Sequence, residues 1–170
     1  MNLRQAQNTP NLYPLGTITC YLSNAQFTLP KYSFAYDINM IANVLIVEDQ
    51  LAIQLLLKRV LERHHFNVTL ANNGLEGLAR LEEQQAIDLI VSDLEMPEMG
   101  GLEMLQRIRQ HPRLKDIPSI VVTARGQNGA KEKALELGVT RVITKPVNTV
   151  ELARVCTGLI QERDVTPRPH

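Results

Sequence analysis

Four short apolar runs in this chain each stop at residues that are charged or hydroxylated, and this recurrence restricts the fold more than any other feature. Val44 to Val47 stops at Glu48 and Asp49, and Leu89 to Val91 leads to Asp93. Ile120 to Val122 stops at Thr123, and Val139 to Ile143 leads through Thr144 to Lys145 and Pro146. Consecutive Val, Ile and Leu suit a strand buried on both faces. As parallel neighbours in one sheet, these runs bring their carboxyl ends together along one edge, the edge where open parallel sheets bind ligands. Behind Asp93, Pro97 and the pair Gly100-Gly101 end the strand in a loop.

Between the runs the apolar spacing becomes helical. Ile53, Leu56, Leu57, Val60 and Leu61 fall at i, i+3, i+4, i+7 and i+8, one face of a helix. Val68 to Ala71 is a further short strand, and Asn73-Gly74 opens a helix with Leu75, Leu78 and Ala79 as its stripe. Leu102, Leu105 and Ile108 mark the next helix, which ends at His111-Pro112. Ala130, Ala134 and Leu137 trace a weakly apolar one capped by Gly138, and Leu152, Val155, Cys156, Leu159 and Ile160 trace the last. Alternation of this kind predicts an α/β fold: a doubly wound, five-stranded parallel sheet of flavodoxin-like order 2-1-3-4-5, with helices on both faces.

The regular pattern occupies 41–163. Residues 1–40 hold few charges, and their β-like pieces, Gly16 to Leu22 and Gln26 to Leu29, show no partner sheet, so an N-terminal extension of low order is expected, with Met40 as a true or alternative start. Residues 164–170 are expected to form a flexible tail. Eighteen basic and eighteen acidic residues cancel, which argues against direct nucleic-acid binding by bulk charge. The densest basic group, Arg107, Arg109, Arg113 and Lys115, is read as a solvated helix end. Cys20 and Cys156 fit no metal or redox spacing. With no apolar run near the roughly 18 residues a bilayer span needs, and no secretory signal, no membrane association and a cytoplasmic location are expected.

Glu48, Asp49 and Asp93 at one sheet edge would repel one another by roughly 4 kcal/mol per pair at about 4 Å and an effective dielectric near 20. A cation must sit among them. A donor set of oxygen alone points to a hard ion such as Mg²⁺. Lys145 adds a second positive charge and Thr123 a hydroxyl. An aspartate in that company is equipped to take a phosphoryl group on its own carboxylate. Each acid taken singly could instead be a helix cap, Asp49 most obviously. His64, His65 and His111 stand at helix ends, and Met96 and Met99 read as packing around the loop.

These residues, Val-Leu-Ile-Val-Glu48-Asp49, Asp93-Leu-Glu-Met-Pro97 with Gly100-Gly101, Thr123-Ala124 and Lys145-Pro146, resemble the receiver domain of two-component response regulators. The resemblance implies that Asp93 is the phosphoacceptor, and that Glu48, Asp49 and Asp93 hold Mg²⁺ with the backbone carbonyl of Glu95. It implies that Thr123 and Lys145 contact the phosphoryl group, and that the Lys145-Pro146 bond is cis. It implies a sensor histidine kinase or histidine phosphotransfer protein as donor. It also implies a downstream protein target at the surface of the fourth helix, fifth sheet strand and fifth helix, where Lys131, Lys133, Val142 and Arg154 fall. Val142 occupies the place of the family's switch aromatic, so no aromatic flip is available there. Glu95 and Arg125 are candidates for an ion pair that covers the site and sets phosphoryl lifetime. The expected whole is a stand-alone switch that catalyses only its own phosphorylation and dephosphorylation. The rival readings are a small haloacid-dehalogenase-like phosphohydrolase, on the Asp93/Glu95 pair, and a phosphorylation-independent binding module.

Overall fold

Val44, Leu45, Ile46 and Val47 have no solvent exposure, as a strand covered on both faces requires. They form β3 (Asn43–Val47) in a computed structural model that describes residues 17–22, 25–30, 41–83, 86–124 and 128–165. The chain divides into two units, Met1–Asn39 and Met40–His170. In the first, β1 (Thr17–Leu22) and β2 (Ala25–Pro30) pair antiparallel with each other. The remainder of 1–40, Arg125 and the tail beyond 165 lie outside the described residues.

In the second unit the order is β3, α1 (Leu51–Arg63), β4 (Asn67–Ala71), α2 (Gly74–Glu83), β5 (Leu89–Asp93), α3 (Gly101–Gln110), β6 (Ser119–Thr123), α4 (Asn128–Glu136), β7 (Arg141–Thr144) and α5 (Thr149–Val165). The five strands form one parallel sheet in the order β4-β3-β5-β6-β7. Counted within the sheet, this is the expected 2-1-3-4-5. Alternating side chains split the core. Leu45, Val47, Ile90 and Val121 meet Leu81, Met104, Leu105, Ile108 and Ala134 from α2, α3 and α4. Val44, Ile46, Val91, Ile120 and Val122 meet Leu57, Leu61, Leu152, Cys156 and Leu159 from α1 and α5. Among the described residues no helix is long and apolar enough to cross a membrane.

Two expected stripes are displaced. On α1 the buried residues are Gln54, Leu57 and Leu61, while Leu56 is exposed. On α2 they are Gly74, Gly77 and Leu81, while Leu75 and Ala79 are exposed. Glycine is the cause on α2. A Cβ at Gly77 would lie 2.8 Å from Met104 Sδ and 3.2 Å from Val47 Cγ2, so the helix backbone itself is the packing surface. A pattern read from large side chains misses such a face.

Helix ends follow local chemistry. Gly138, at φ +72°, closes α4 with Gly138 N–H donating to Leu135 O and Val139 N–H to Ala134 O, the left-handed cap glycine favours. His64 and His65 end α1, with His65 at φ +64°.

The basic cluster is not uniformly solvated. Arg107 pairs with Glu103 in solvent, but Arg109 turns inward. Its guanidinium donates to Leu137 O (3.1 Å), Lys115 O (3.0 Å), Ile117 O (3.1 Å), Gly138 O (3.2 Å) and Ser119 Oγ (2.6 Å). Only a fixed fork of donors can satisfy so many convergent acceptors. Arg109 thereby ties the end of α3 to the entry of β6 and the turn after α4. Arg109→Met is expected to reduce unfolding free energy in urea by about 1–3 kcal/mol, because three of its acceptor bonds are part-buried and acceptors left bare there cost up to roughly 1–3 kcal/mol. A loss within the roughly 0.5 kcal/mol of an ordinary surface substitution would return Arg109 to a solvent-facing role.

Candidate functional site

The parallel register decides which side chains meet. Val47 lies opposite Ser92, Asp93 opposite Val122, and Thr123 opposite Thr144. The next residues out, Glu48, Asp93, Thr123 and Lys145, therefore share one edge. Carboxylate oxygens of Glu48, Asp49 and Asp93 lie within 4.8 Å of one another. Lys145 Nζ stands between two of them, 2.5 Å from Asp93 Oδ2 and 3.1 Å from Glu48 Oε2. Glu48 (1% exposed), Asp93 (6%) and Thr123 (2%) are buried, whereas Asp49 is exposed at the mouth. The Lys145-Pro146 bond is cis.

Asp93 is held at both oxygens. Oδ2 takes the ammonium, and Oδ1 accepts the N–H of Leu94 (2.6 Å) and that of Glu95 (3.4 Å). The loop that follows is folded back hard. Ser92 Oγ donates to Asp93 O (2.7 Å), Gly101 N–H donates to Leu94 O (2.9 Å), and Gly74 N–H donates to Met99 O (2.9 Å). A Cβ at Gly101 would lie 2.0 Å from Asp93 O, so any side chain there would push α3 off the strand that carries Asp93. Met99 is buried within the core and Met96 packs against it, which is the packing role expected of both.

Burial pushes the Glu48 carboxyl above the ordinary carboxylate range, and the hydrogen bond and charge of Lys145 only partly counter this. Burial also draws the Lys145 ammonium down, but its hydrogen bonds to Asp93 and Glu48, with their charges, outweigh that and hold it above the ordinary lysine value. Lys145 is thus charged throughout the neutral range. Three carboxylates against one ammonium leave two formal negative charges (−3 + 1) at one mouth. Clustered carboxylate oxygens with that excess fit a hard divalent cation.

Thr123 ends β6 with its hydroxyl at 3.5 Å from Ala124 O. Val142 pairs with Val121 in β7 and packs, partly buried, against the core on the α3–α4 side. Glu95 is exposed just past Asp93. The Glu95–Arg125 pair falls outside the described residues on the Arg125 side. Two contributors escaped sequence reasoning. Ser92 is hidden in the apolar run of β5, and Gln54 is fully buried beside the acids (3% exposed). The available signal for Gln54 was a polar residue inside the helical stripe of α1, since buried amides require partners.

Fold and pocket together define a class: a doubly wound α/β protein with a cluster of three carboxylates that could hold a cation, and a lysine, at the carboxyl edge of its sheet. Residues 44–157 match the family model described as the response regulator receiver domain. The chain is 35% identical over 122 residues to a probable transcriptional regulator of Pyropia yezoensis, covering 72% of this chain and 54% of that protein. It is also 35% identical over 123 residues to a cyclic di-GMP phosphodiesterase response regulator of Xanthomonas campestris, covering 71% and 32%. The chain thus spans about half of the first relative and a third of the second. A crystal structure of a CheY-like receiver domain protein from Methanospirillum hungatei superposes with a TM-score of 0.67 at 29% identity, over 72% of this chain and 95% of that one. The chain belongs to the response regulator receiver domain family of two-component signalling.

The raised Glu48 has a consequence for stability. A carboxyl whose folded pKa lies above its unfolded value favours folding when protonated, so its ionised form subtracts from stability as pH rises above the ordinary value of 4.5. In EDTA at pH 7, Glu48→Gln is expected to melt above wild type. The gap should narrow as pH falls toward the ordinary carboxylate range. A variant that melts lower at pH 7, or a gap that widens in acid, contradicts the assignment.

Proposed function

We propose that Asp93 accepts a phosphoryl group and that the unit over 41–163 signals by its phosphorylation state. The observation that carries this reading is the Lys145 ammonium set between Glu48 and Asp93, with the Asp49 carboxylate within 4.8 Å at the mouth. Glu48, Asp49 and Asp93 would hold Mg²⁺, with the carbonyl of Glu95 as a further donor. Once bound, the ion supplies charge neutralisation for the transferring group. Asp93 attacks phosphorus as a carboxylate, its O–P bond forming as the bond from phosphorus to a donor histidine nitrogen breaks; the nitrogen regains a proton from solvent. Lys145 leaves Glu48 and Asp93 to pair with the phosphoryl oxygens, and Thr123 donates its hydroxyl to one of them.

The donor is a sensor histidine kinase or a histidine phosphotransfer protein. The modification replaces one carboxylate charge by roughly −1.5 to −2 with new acceptor oxygens, and Thr123 draws the β6–α4 loop toward them. The output surface is the α4–β7–α5 face. Lys131, Lys133 and Arg154 are exposed there, and Val142 is half-buried. Chemistry at the site is confined to the protein's own phosphorylation and dephosphorylation. Glu95 and Arg125 modulate the lifetime.

Incubation with Mg²⁺ and acetyl phosphate, read by intact mass, is expected to add one phosphoryl group to wild type and none to Asp93→Asn or to protein in EDTA. Labelling that persists in Asp93→Asn overturns the assignment. Multiple turnover of phosphoesters without a labelled intermediate favours the phosphohydrolase reading instead.

A further inference from the structure

Gln54 lies in the first turn of α1, where the core stripe calls for an apolar residue, and its side chain is buried. Its Nε2 has three oxygens within hydrogen-bond distance, Glu48 O (3.1 Å), Ala71 O (3.1 Å) and Asn72 Oδ1 (3.3 Å), shared between its two N–H groups. Ala71 O also accepts the backbone N–H of Glu48 at 3.1 Å, so the amide completes the last rung between β3 and β4. Asn72 is itself fixed. Its backbone N–H and Nδ2 both donate to Glu76 Oε2, at 2.9 and 2.8 Å, and Glu76 pairs with Arg80. The result is a chain of polar contacts from the α2 surface to the carbonyl of Glu48.

That carbonyl belongs to the peptide between Glu48 and Asp49. A peptide group is planar and stiff, so anchoring its oxygen fixes the two Cα atoms from which both carboxylates project. No other hydrogen bond to this oxygen is present among the described residues. Among the described residues, no other α1 side chain hydrogen-bonds to Glu48 or Asp49.

We propose that Gln54 is the positioning residue for the metal-binding acids: its carboxamide holds the Glu48–Asp49 peptide so that both carboxylates face the same ion as Asp93. The inference rests on the reading of these acids as a Mg²⁺ site. Partners that orient metal ligands from outside the coordination sphere typically set about 10–100-fold in affinity. Asp49 depends on the device most, because it is exposed and has no ion pair of its own among the described residues.

Mg²⁺ binding by isothermal calorimetry separates this from a generic packing role. Gln54→Met keeps the side-chain length and apolar burial but removes the donors, and its Mg²⁺ affinity is expected to fall about ten-fold or more. Leu57→Ala, one turn along the same buried face, should lower the melting temperature more and leave Mg²⁺ affinity unchanged. Equal affinity in Gln54→Met and wild type overturns the inference while leaving the metal site intact. An equal loss in Leu57→Ala also overturns it, as the effect then follows stability. If wild type itself binds no Mg²⁺, the site reading and the inference fall together. Wild type gives a readout that needs no variant. The Gln54 side-chain amide signals should exchange slowly and shift on Mg²⁺ titration, whereas those of exposed Gln106 should not. Fast-exchanging, unshifted Gln54 signals refute the role even if Gln54→Met does not fold.

Discussion

An ammonium wedged between two buried carboxylates is the interaction on which this molecule turns. Lys145 reaches across the sheet edge to Glu48 and Asp93 from 97 and 52 positions away in sequence. Withdrawing these charges from water costs several kcal/mol per ion, and their mutual attraction repays that only with good geometry. The balance is left incomplete here: Glu48 remains raised despite its partner, and the mouth carries an excess of negative charge. A pocket whose charges balanced internally would attract an external cation less strongly.

Holding that cluster together falls to features with no charge of their own. Gly101 lets the start of α3 approach the Asp93 carbonyl, and Gly77 lets α2 rest directly on β3 and Met104. Ser92 closes the turn behind the phosphoacceptor candidate, and the N–H groups of Leu94 and Glu95 orient its carboxylate. Each is a close approach or a hydrogen bond within a few residues of the acids. Together they hold Asp93 with little freedom before any ligand arrives, the condition for electrostatic preorganisation.

α4 stands apart from this rigidity. Its buried side is supplied mainly by Ala130, Ala134 and Leu137, and Leu135 faces solvent. Small side chains bury little area, so they hold a helix weakly. Arg109 grips the far end of α4 through the carbonyls of Leu137 and Gly138, while the near end follows the Thr123 loop. Packed mainly through small side chains, α4 is held less firmly along its length than at the end that Arg109 grips.

Much of the architecture was legible because its causes are local. Unbroken Val, Ile and Leu runs specify strands covered on both faces, and the polar residues at their ends specify which edge carries chemistry. Asp93, Glu48, Asp49, Thr123 and Lys145 could be named from those positions alone. Other features depended on what packs against what. Leu56, Leu75 and Ala79 satisfy the helical period yet face solvent, because Gln54, Gly74 and Gly77 take the inward positions. Arg109 resembles its solvated neighbours until the chain folds carbonyls around it. The chain by itself determined which residues could form the pocket, since strand-forming runs and their polar ends are properties of neighbouring residues. Tertiary structure alone decided what holds them in place, since Gln54, Gly101 and Arg109 act on backbone atoms brought near them only by folding.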